Sequence, residues 1–360
     1  MSEKSRRRSG GERGRQPSVK DVAERAGVSS MTVSNVVNGR TNVRPATREK
    51  VEQAISELGY RTSLAGRQLR AGRTKILAVA LPKLTTPYFA SLAHEIITAA
   101  EELEYTVLIA ETTSSPERER HAARGFTTQF ADGIILRPDS LDGAGVLDSH
   151  GPMPLVLLGE RVEGSHLDHV MIDNAQSGRD ATEHILSLGC TSPLFLGAHE
   201  DKQFGPGWVR SLGFRSALKD AGLPSGPDRL VRVSPYGRAA AVDTVHELLR
   251  AGIEFDSLVC ATDLIAVGAM YALRRSGLSV PGDVAVLGWD GTLEGEYANP
   301  SLTTVAVDIP RVAREAVATL VRRVEDPDAP PTDVVVEQTI IIRESTTGVL
   351  AVPAGESANG

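Results

Sequence analysis

The feature that most limits what this chain can fold into is a rhythm. From about residue 75, short continuous apolar runs alternate with helical patterns. KILAVALP, YTVLIAE, GIILRP, PLVLLGE, PLFLGA, SLVCAT and VAVLGWD are strand candidates, and segments such as FASLAHEIITAAEEL and RDATEHILSLG lie between them. A strand that is apolar on both faces has no solvent side, so it belongs in a parallel sheet covered by helices above and below. About 265 residues with this rhythm exceed one common sheet, and two α/β lobes are expected.

The N-terminal part follows another pattern. In SVKDVAERAGVSSMTVSNVVN, Val19, Val22, Ala23 and Ala26 fall on one helical face. Ser18 is placed to cap that helix, with Asp21 near the positive end of its dipole. Gly27 supplies a turn, and Ser29 caps a second short helix with Val33, Val36 and Val37 inward. A third helix is expected over 45–58, with Val51, Ala54, Ile55 and Leu58 inward and Gly59 as its stop. This is a helix-turn-helix pattern. The second helix begins at Ser29 and presents Ser30, Met31, Thr32, Ser34, Asn35 and Asn38 on its other side, side chains suited to base edges and phosphates. By pattern alone, a purely structural three-helix domain fits as well.

Charge separates the two parts. Residues 1–73 hold 16 Lys and Arg against 7 Asp and Glu, a surplus of nine; the remainder holds 23 against 39, a deficit of 16. A basic module for a polyanion joined to an acidic body accounts for that split. Residues 1–16 read as a basic disordered tail that adds phosphate contacts. Aromatic residues are 4% of the chain, too few for stacking platforms on single-stranded nucleic acid. Arg6-Arg7-Arg8 is followed by no apolar stretch and no run reaches membrane-spanning length, so a cytoplasmic protein without membrane contact is expected. Cys190 and Cys260 lie in apolar segments and read as buried thiols. No phosphate-binding glycine loop, nucleophile elbow or metal-ligand spacing occurs, so neither an enzyme nor a cofactor is expected.

Polar and aromatic residues gather instead at the carboxyl ends of the strands, where open α/β sheets bind ligands. Tyr88 and Phe89 follow the first strand, Arg210 opens a helix, Asp263 follows SLVCAT, and Trp289 and Asp290 close VAVLGWD. An Arg beside a carboxylate with aromatic walls suits a small polyhydroxylated ligand. For each residue singly, a structural ion pair or a core aromatic is an equal alternative.

These segments resemble a known family. DVAERAGVSSMTVSNVVNGRTNVRPATREKVEQAISELGY is similar, nearly position by position, to the DNA-binding headpiece of the LacI/GalR family of bacterial repressors. RTSLAGRQLRAGRTKILAVALP resembles that family's hinge, which implies that Leu69 wedges into the minor groove and kinks the duplex. Thr62-Ser63 and Ala65-Gly66 stand where the family usually has Pro-Asn and an Ala pair, and Asn35 stands where many members carry Arg. Beyond the hinge, TTPYF, RSLGF, ATDLIAVGAM, VPGDVAVLGWDG and PSLTTV resemble segments of the family's periplasmic-binding-protein-like core, with Thr262 and Gly291 as departures.

The resemblance implies that Arg210 and Asp290 bind ligand hydroxyls, that Tyr88, Phe89 and Trp289 form walls, and that Asp173 contributes from a lobe crossover. It implies a homodimer on a roughly palindromic double-stranded operator, with a small effector, a sugar or derivative, between the lobes. The expected divisions are a tail (1–16), a headpiece (17–61), a hinge (62–73), a two-lobed effector and dimerisation core (74–345) and a flexible tail (346–360). ESTTGVLAVPAGESANG has no heptad repeat, which argues against a zipper-built tetramer. A DNA-binding protein with a decayed pocket and a sugar receptor are the remaining alternatives.

Overall fold

The computed structural model describes residues 17–37, 40, 43–60, 73–126, 130–160, 165–198 and 205–347. The chain forms two compact units, Met1–Thr74 and Lys75–Gly360.

In the first unit, α1 (Val19–Ala26) and α2 (Ser30–Val37) are joined by a turn, and α3 (Pro45–Leu58) closes them. Ser18 and Asp21 form a reciprocal capping box: the Asp21 carboxylate accepts from the Ser18 amide at 2.6 Å, and the Ser18 hydroxyl accepts from the Asp21 amide at 3.4 Å. Gly27 and Gly59 end α1 and α3 at φ 65° and 61°, the left-handed region that favours glycine. Val22, Ala23, Val33, Val36, Val51 and Ala54 are buried together, which is the inward set expected from their spacing. Asn38, Leu69 and the hinge departures at 62–66 lie outside the described residues.

The second unit holds two six-stranded sheets. Lobe 1 has strand order β11-β5-β4-β3-β1-β2, where β1 is Ile76–Leu81, β2 Thr106–Glu111, β3 Gly133–Leu136, β4 Leu155–Leu158, β5 Asp168–Ile172 and β11 Asp333–Val336. Lobe 2 has order β12-β10-β9-β8-β6-β7, where β6 is Pro193–Leu196, β7 Leu230–Val231, β8 Ser257–Cys260, β9 Ala285–Asp290, β10 Thr303–Val307 and β12 Gln338–Ile341. Every pairing is parallel except β10 with β12.

Period-2 alternation explains the continuous apolar runs. Leu77, Val79 and Leu81 pack on one face of lobe 1 with α4 (Pro87–Glu102), while Ala78 and Ala80 pack on the other with α5 (Pro116–Ala123). Ile135 and Ile134 divide in the same way across β3. Lobe 2 buries its sheet with α6 (Asn174–Ser187), α7 (Pro206–Asp220), α8 (Arg238–Arg250) and α9 (Asp263–Arg275). The last long helix, α10 (Ile309–Glu325), returns to lobe 1 through Val312, Ala313, Ala316, Val317 and Leu320.

The chain therefore changes lobe three times, after β5, after β10 and between β11 and β12. Asp173 and Asp308 stand at the first two crossovers, and each caps the helix that follows by accepting from an amide three residues on, at 2.9 Å in both cases. A single-turn helix, Glu344–Thr347, tucks Ser345 and Thr346 into lobe 2, two residues past the boundary expected at 345. Both cysteines are unbridged, Cys260 buried and Cys190 half-buried. Among the described residues no helix is long and apolar enough to cross a membrane.

Candidate functional site

The start of α2 is built from short polar side chains. Ser29 accepts from the Thr32 amide at 3.1 Å, and their hydroxyls lie 2.9 Å apart. Ser29, Ser30 and Met31 are exposed, Met31 at 71%, whereas Thr32, Ser34 and Asn35 are half-buried on the flank of the same helix. The Asn35 carbonyl accepts from the Arg40 amide at 3.0 Å, and the Arg40 carbonyl accepts from Arg48 at 2.7 Å, so the chain leaving α2 is tied to α3. An exposed methionine among hydroxyls and an amide offers one apolar contact and several donors and acceptors, the mixture that reads base edges in a major groove.

The second site is a cleft of about 450 Å³ between the two lobes. Its walls are the carboxyl ends of strands from both sheets: Pro82 after β1, Arg137 after β3, Gly159 after β4, Ile172 at the end of β5, Thr262 after β8 and Asp290 ending β9. The parallel strands all point at the same opening, and that is why residues remote in sequence converge there.

Arg210 is the centre of the lobe 2 wall. It is 5% exposed, donates from Nε to Asn174 Oδ1 at 2.7 Å and from Nη1 to the Ala261 carbonyl at 2.6 Å, and lies 4.6 Å over the Trp289 ring. Burial weakens its hold on a proton, while the charges of Asp290 and Glu160 strengthen it. Asn174 in turn donates to Glu160 at 2.5 Å, so one amide joins Glu160 of lobe 1 to Arg210 of lobe 2. Burial raises the Glu160 carboxyl above its ordinary value against the pull of Arg137 and Arg210, and Asp290 is raised as well, again chiefly by burial. Asp290 has φ 109°, a conformation that costs a non-glycine residue roughly 1–3 kcal/mol and that clusters at ligand sites. Its backbone is held by β10, whose Ala306 is its partner in register.

The lobe 1 wall carries the aromatic pair. The Tyr88 and Phe89 rings meet edge-on at 5.3 Å, and burial, with Asp290 behind it, pushes the Tyr88 hydroxyl up to about 12. Trp208 and Tyr236 face the cleft from lobe 2, where the Tyr236 hydroxyl donates to the Gly197 carbonyl.

Of the seven residues expected at the ligand, Tyr88, Phe89, Arg210 and Asp290 line the cleft. The other three are placed elsewhere. Trp289 is fully buried in the lobe 2 core, because neighbours on a strand face opposite ways and Asp290 takes the side toward the cleft. It acts from beneath, as the surface on which Arg210 lies. Asp263, 1% exposed, accepts from the Thr292 amide at 2.7 Å, the Thr292 hydroxyl at 2.9 Å and the Thr304 hydroxyl at 2.7 Å, so it fixes the loop after Asp290. Asp173 is an exposed helix cap, and its neighbour Asn174 occupies the cleft.

Arg137, Asp139, Asn174, Trp208 and Tyr236 are lining residues that the sequence did not single out, and Thr262, noted as a departure from the family pattern, lines the cleft as well. Arg137 carried a usable signal, since it directly follows the apolar run GIIL at a strand terminus. Tyr236, in a loop after an irregular segment, carried none. Among the described residues no group of three or more His, Cys, Asp or Glu could hold a metal ion.

Comparison with known proteins gives the family of the chain. Residues 18–63 match the family described as bacterial regulatory proteins, lacI family, and residues 182–346 match the periplasmic binding protein-like domain. The chain is 33% identical to the HTH-type transcriptional regulator CelR of Thermobifida fusca, over 93% of this chain and 99% of that one. A solved transcriptional regulator CelR–cellobiose complex is similar at a TM-score of 0.67 with 30% identity, covering 91% of this chain and 99% of that one. The lac repressor dimer bound to operator and the anti-inducer ONPF is similar at a TM-score of 0.82 with 25% identity, covering 92% and 99%.

Proposed function

The chain belongs to the lacI family of bacterial regulatory proteins, and from that premise we propose that this DNA-binding transcriptional regulator is a repressor whose operator affinity is set by a sugar or sugar derivative held between its lobes. Its relatives are transcriptional regulators, and the chain is one too, not an enzyme.

The observation that carries the ligand class is the buried Arg210–Asn174–Glu160 chain facing the cleft beside Asp290, with Tyr88, Phe89 and Trp208 around it. Fixed donors and acceptors backed by aromatic faces match the alternation of hydroxyls and C–H faces on a sugar ring. A cleft of about 450 Å³ falls within the usual range for small ligands, roughly 300–1,000 Å³, and accommodates one or two rings. CelR, a relative at this level of identity, is solved with cellobiose, which makes a disaccharide a reasonable first ligand to try.

In this reading the three crossovers near residues 173, 308 and 337 are the hinge. A ligand that touches both walls favours the closed arrangement, and the difference in its affinity for open and closed forms is all that is available to alter DNA binding. Two subunits each place one α2 in a major groove of a roughly palindromic site, through Ser29, Ser30, Met31, Thr32, Ser34, Asn35 and Asn38, with Leu69 at the minor groove and the basic residues before 17 on phosphates.

The chain has two Trp residues, one lining the cleft and one buried, so intrinsic fluorescence is a direct reporter. Titration of mono- and disaccharides into the full-length protein should change Trp208 emission and raise Tm, and Asp290→Asn should weaken both responses at least tenfold, the order expected for loss of a charged hydrogen bond. The same sugar should then change affinity for operator DNA in a gel-shift titration. A sugar screen without a response in either readout would reject an effector-controlled repressor in favour of a regulator blind to sugars.

A further inference from the structure

Resting on the reading of the cleft as a sugar site, we propose that its ligand is an acidic saccharide, a sugar bearing one carboxylate or phosphate, and that Arg137 receives the anionic group. Arg137 directly follows β3 and lines the cleft from lobe 1, on the wall facing Arg210. Among the described residues its guanidinium has a single acceptor, the carbonyl of its own neighbour Pro138, and it makes no ion pair. Arg210 differs in this respect, being engaged by Asn174 and the Ala261 carbonyl and packed on Trp289. Guanidinium donors are planar and paired, and their best partner is a carboxylate or phosphate that accepts two at once.

The chain also keeps room for this side chain. The guanidinium of Arg137 lies directly over Gly159, the first residue after β4; a Cβ built there would come within 3.1 Å of Nε and 3.3 Å of Cζ. Gly159 has φ 115°, so both its conformation and its missing side chain suit the position under the arginine.

Among the described residues, the acidic groups around it have other partners. Glu160 accepts from Asn174, and burial raises its carboxyl against the opposing charges of Arg137 and Arg210. Asp139 accepts from the Ser114 hydroxyl at 2.5 Å and acts on Tyr236 of the opposite lobe. Asp290, on the far wall, feels the charge of Arg210. The cleft thus carries acceptors at Asp139 and Asp290 and, among the described residues, a cationic side chain at Arg137 without an ion-pair partner, and a ligand with hydroxyls and one anionic group satisfies both.

The test uses matched ligands on the full-length protein by isothermal titration calorimetry: glucose, glucuronate and glucose 6-phosphate; galactose and galacturonate; cellobiose and cellobionate. The acidic member of at least one set should bind about 10- to 100-fold more tightly than its neutral parent, the range for a charge-assisted contact. The carboxylate and phosphate arms identify which anion is taken. Arg137→Gln should bring the acid-to-neutral ratio close to one, and Arg137→Lys should keep part of the preference. Neutral sugars binding as well as or better than the acids, with a ratio indifferent to Arg137→Gln, would overturn the proposal while leaving the sugar-responsive repressor intact. Binding by neither class would reject both. The ratio in the unaltered protein decides the matter even if a variant does not fold.

Discussion

Glu160 shows how one side chain serves the cleft and burdens the fold. Burial raises its carboxyl above the ordinary 4.5, and the bond from Asn174 and the charges of Arg137 and Arg210 only partly offset this. The folded protein therefore holds that proton to a higher pH than the unfolded chain does. Its contribution to stability is complete below about pH 4.5 and is lost as pH rises through the raised value. Glu160→Gln keeps an acceptor for Asn174 and removes the titration. Urea midpoints measured between pH 4.5 and 7.5 should fall less steeply with pH in the variant than in the parent; parallel slopes would show that Glu160 titrates normally. Asp290 shares the direction, so some slope should remain in the variant. In the headpiece, we propose that Asn35 reads adenine, which takes a bidentate amide, where an arginine would read guanine. Selection from a randomised operator library should return adenine at one position per half-site, and Asn35→Arg should switch it to guanine with a discrimination of about 1–3 kcal/mol. Guanine selected by the unaltered protein would end that assignment.

At the scale of elements, the cleft depends on how closely α6 and α7 approach. A Cβ on Gly178 would come within 2.2 Å of the Arg210 carbonyl, and one on Gly213 within 2.0 Å of the Ala175 carbonyl. Both obstacles are backbone, so neither can be relieved by turning a side chain. These two glycines bring Asn174, the first residue of α6, to the guanidinium that α7 carries. Gly178→Ala or Gly213→Ala should force the helices apart, cost about 1–3 kcal/mol in urea unfolding, and weaken sugar binding further than that loss of stability alone explains. A variant with normal sugar affinity would show that the Asn174–Arg210 bond is not needed. The contrast with what could be read beforehand is physical. Seven strands were legible as unbroken apolar runs: six because both their faces are buried, and β2, an edge strand with Leu108 exposed, because residues 107–110 are apolar all the same. β11 and β12 are edge strands with exposed residues along them, and β7 has two residues, so none of the three gives such a run. The headpiece was legible almost to the residue, since capping and spacing are local. In the cleft, Arg210 and Asp290 were legible from their places at element ends, but Trp289 and Asp263 were not, because which way a terminal side chain turns is decided by packing partners distant in the sequence. Arg137 could have been found from its place just after a strand, but nothing nearby in the chain reveals that Gly159 lies beneath it.

For the whole molecule, the uneven charge and the three crossovers bear on one quantity, the coupling between ligand and DNA. The basic surplus of residues 1–73 belongs to the DNA side and the acidic remainder to the ligand side, so salt should act strongly on operator affinity and weakly on binding of a neutral sugar. If a sugar lowers or raises operator affinity by some factor, saturating operator must change sugar affinity by the same factor, because both are the coupling free energy of one cycle. Such factors are typically about 5- to 150-fold. Sugar titrations followed by Trp208 emission, with and without saturating operator, measure one side of the cycle, and operator titrations with and without saturating sugar measure the other. Equal factors that differ from one would establish that the cleft ligand is the effector and would give the sign of regulation directly: weaker sugar binding on DNA means induction, tighter means co-repression. A sugar that binds well but leaves both factors at one has equal affinity for the two states, and no tightness of binding can then make it a regulator. Repeating the pair of titrations at two salt concentrations separates the contributions, since the coupling factor should stay nearly constant while operator affinity itself falls steeply.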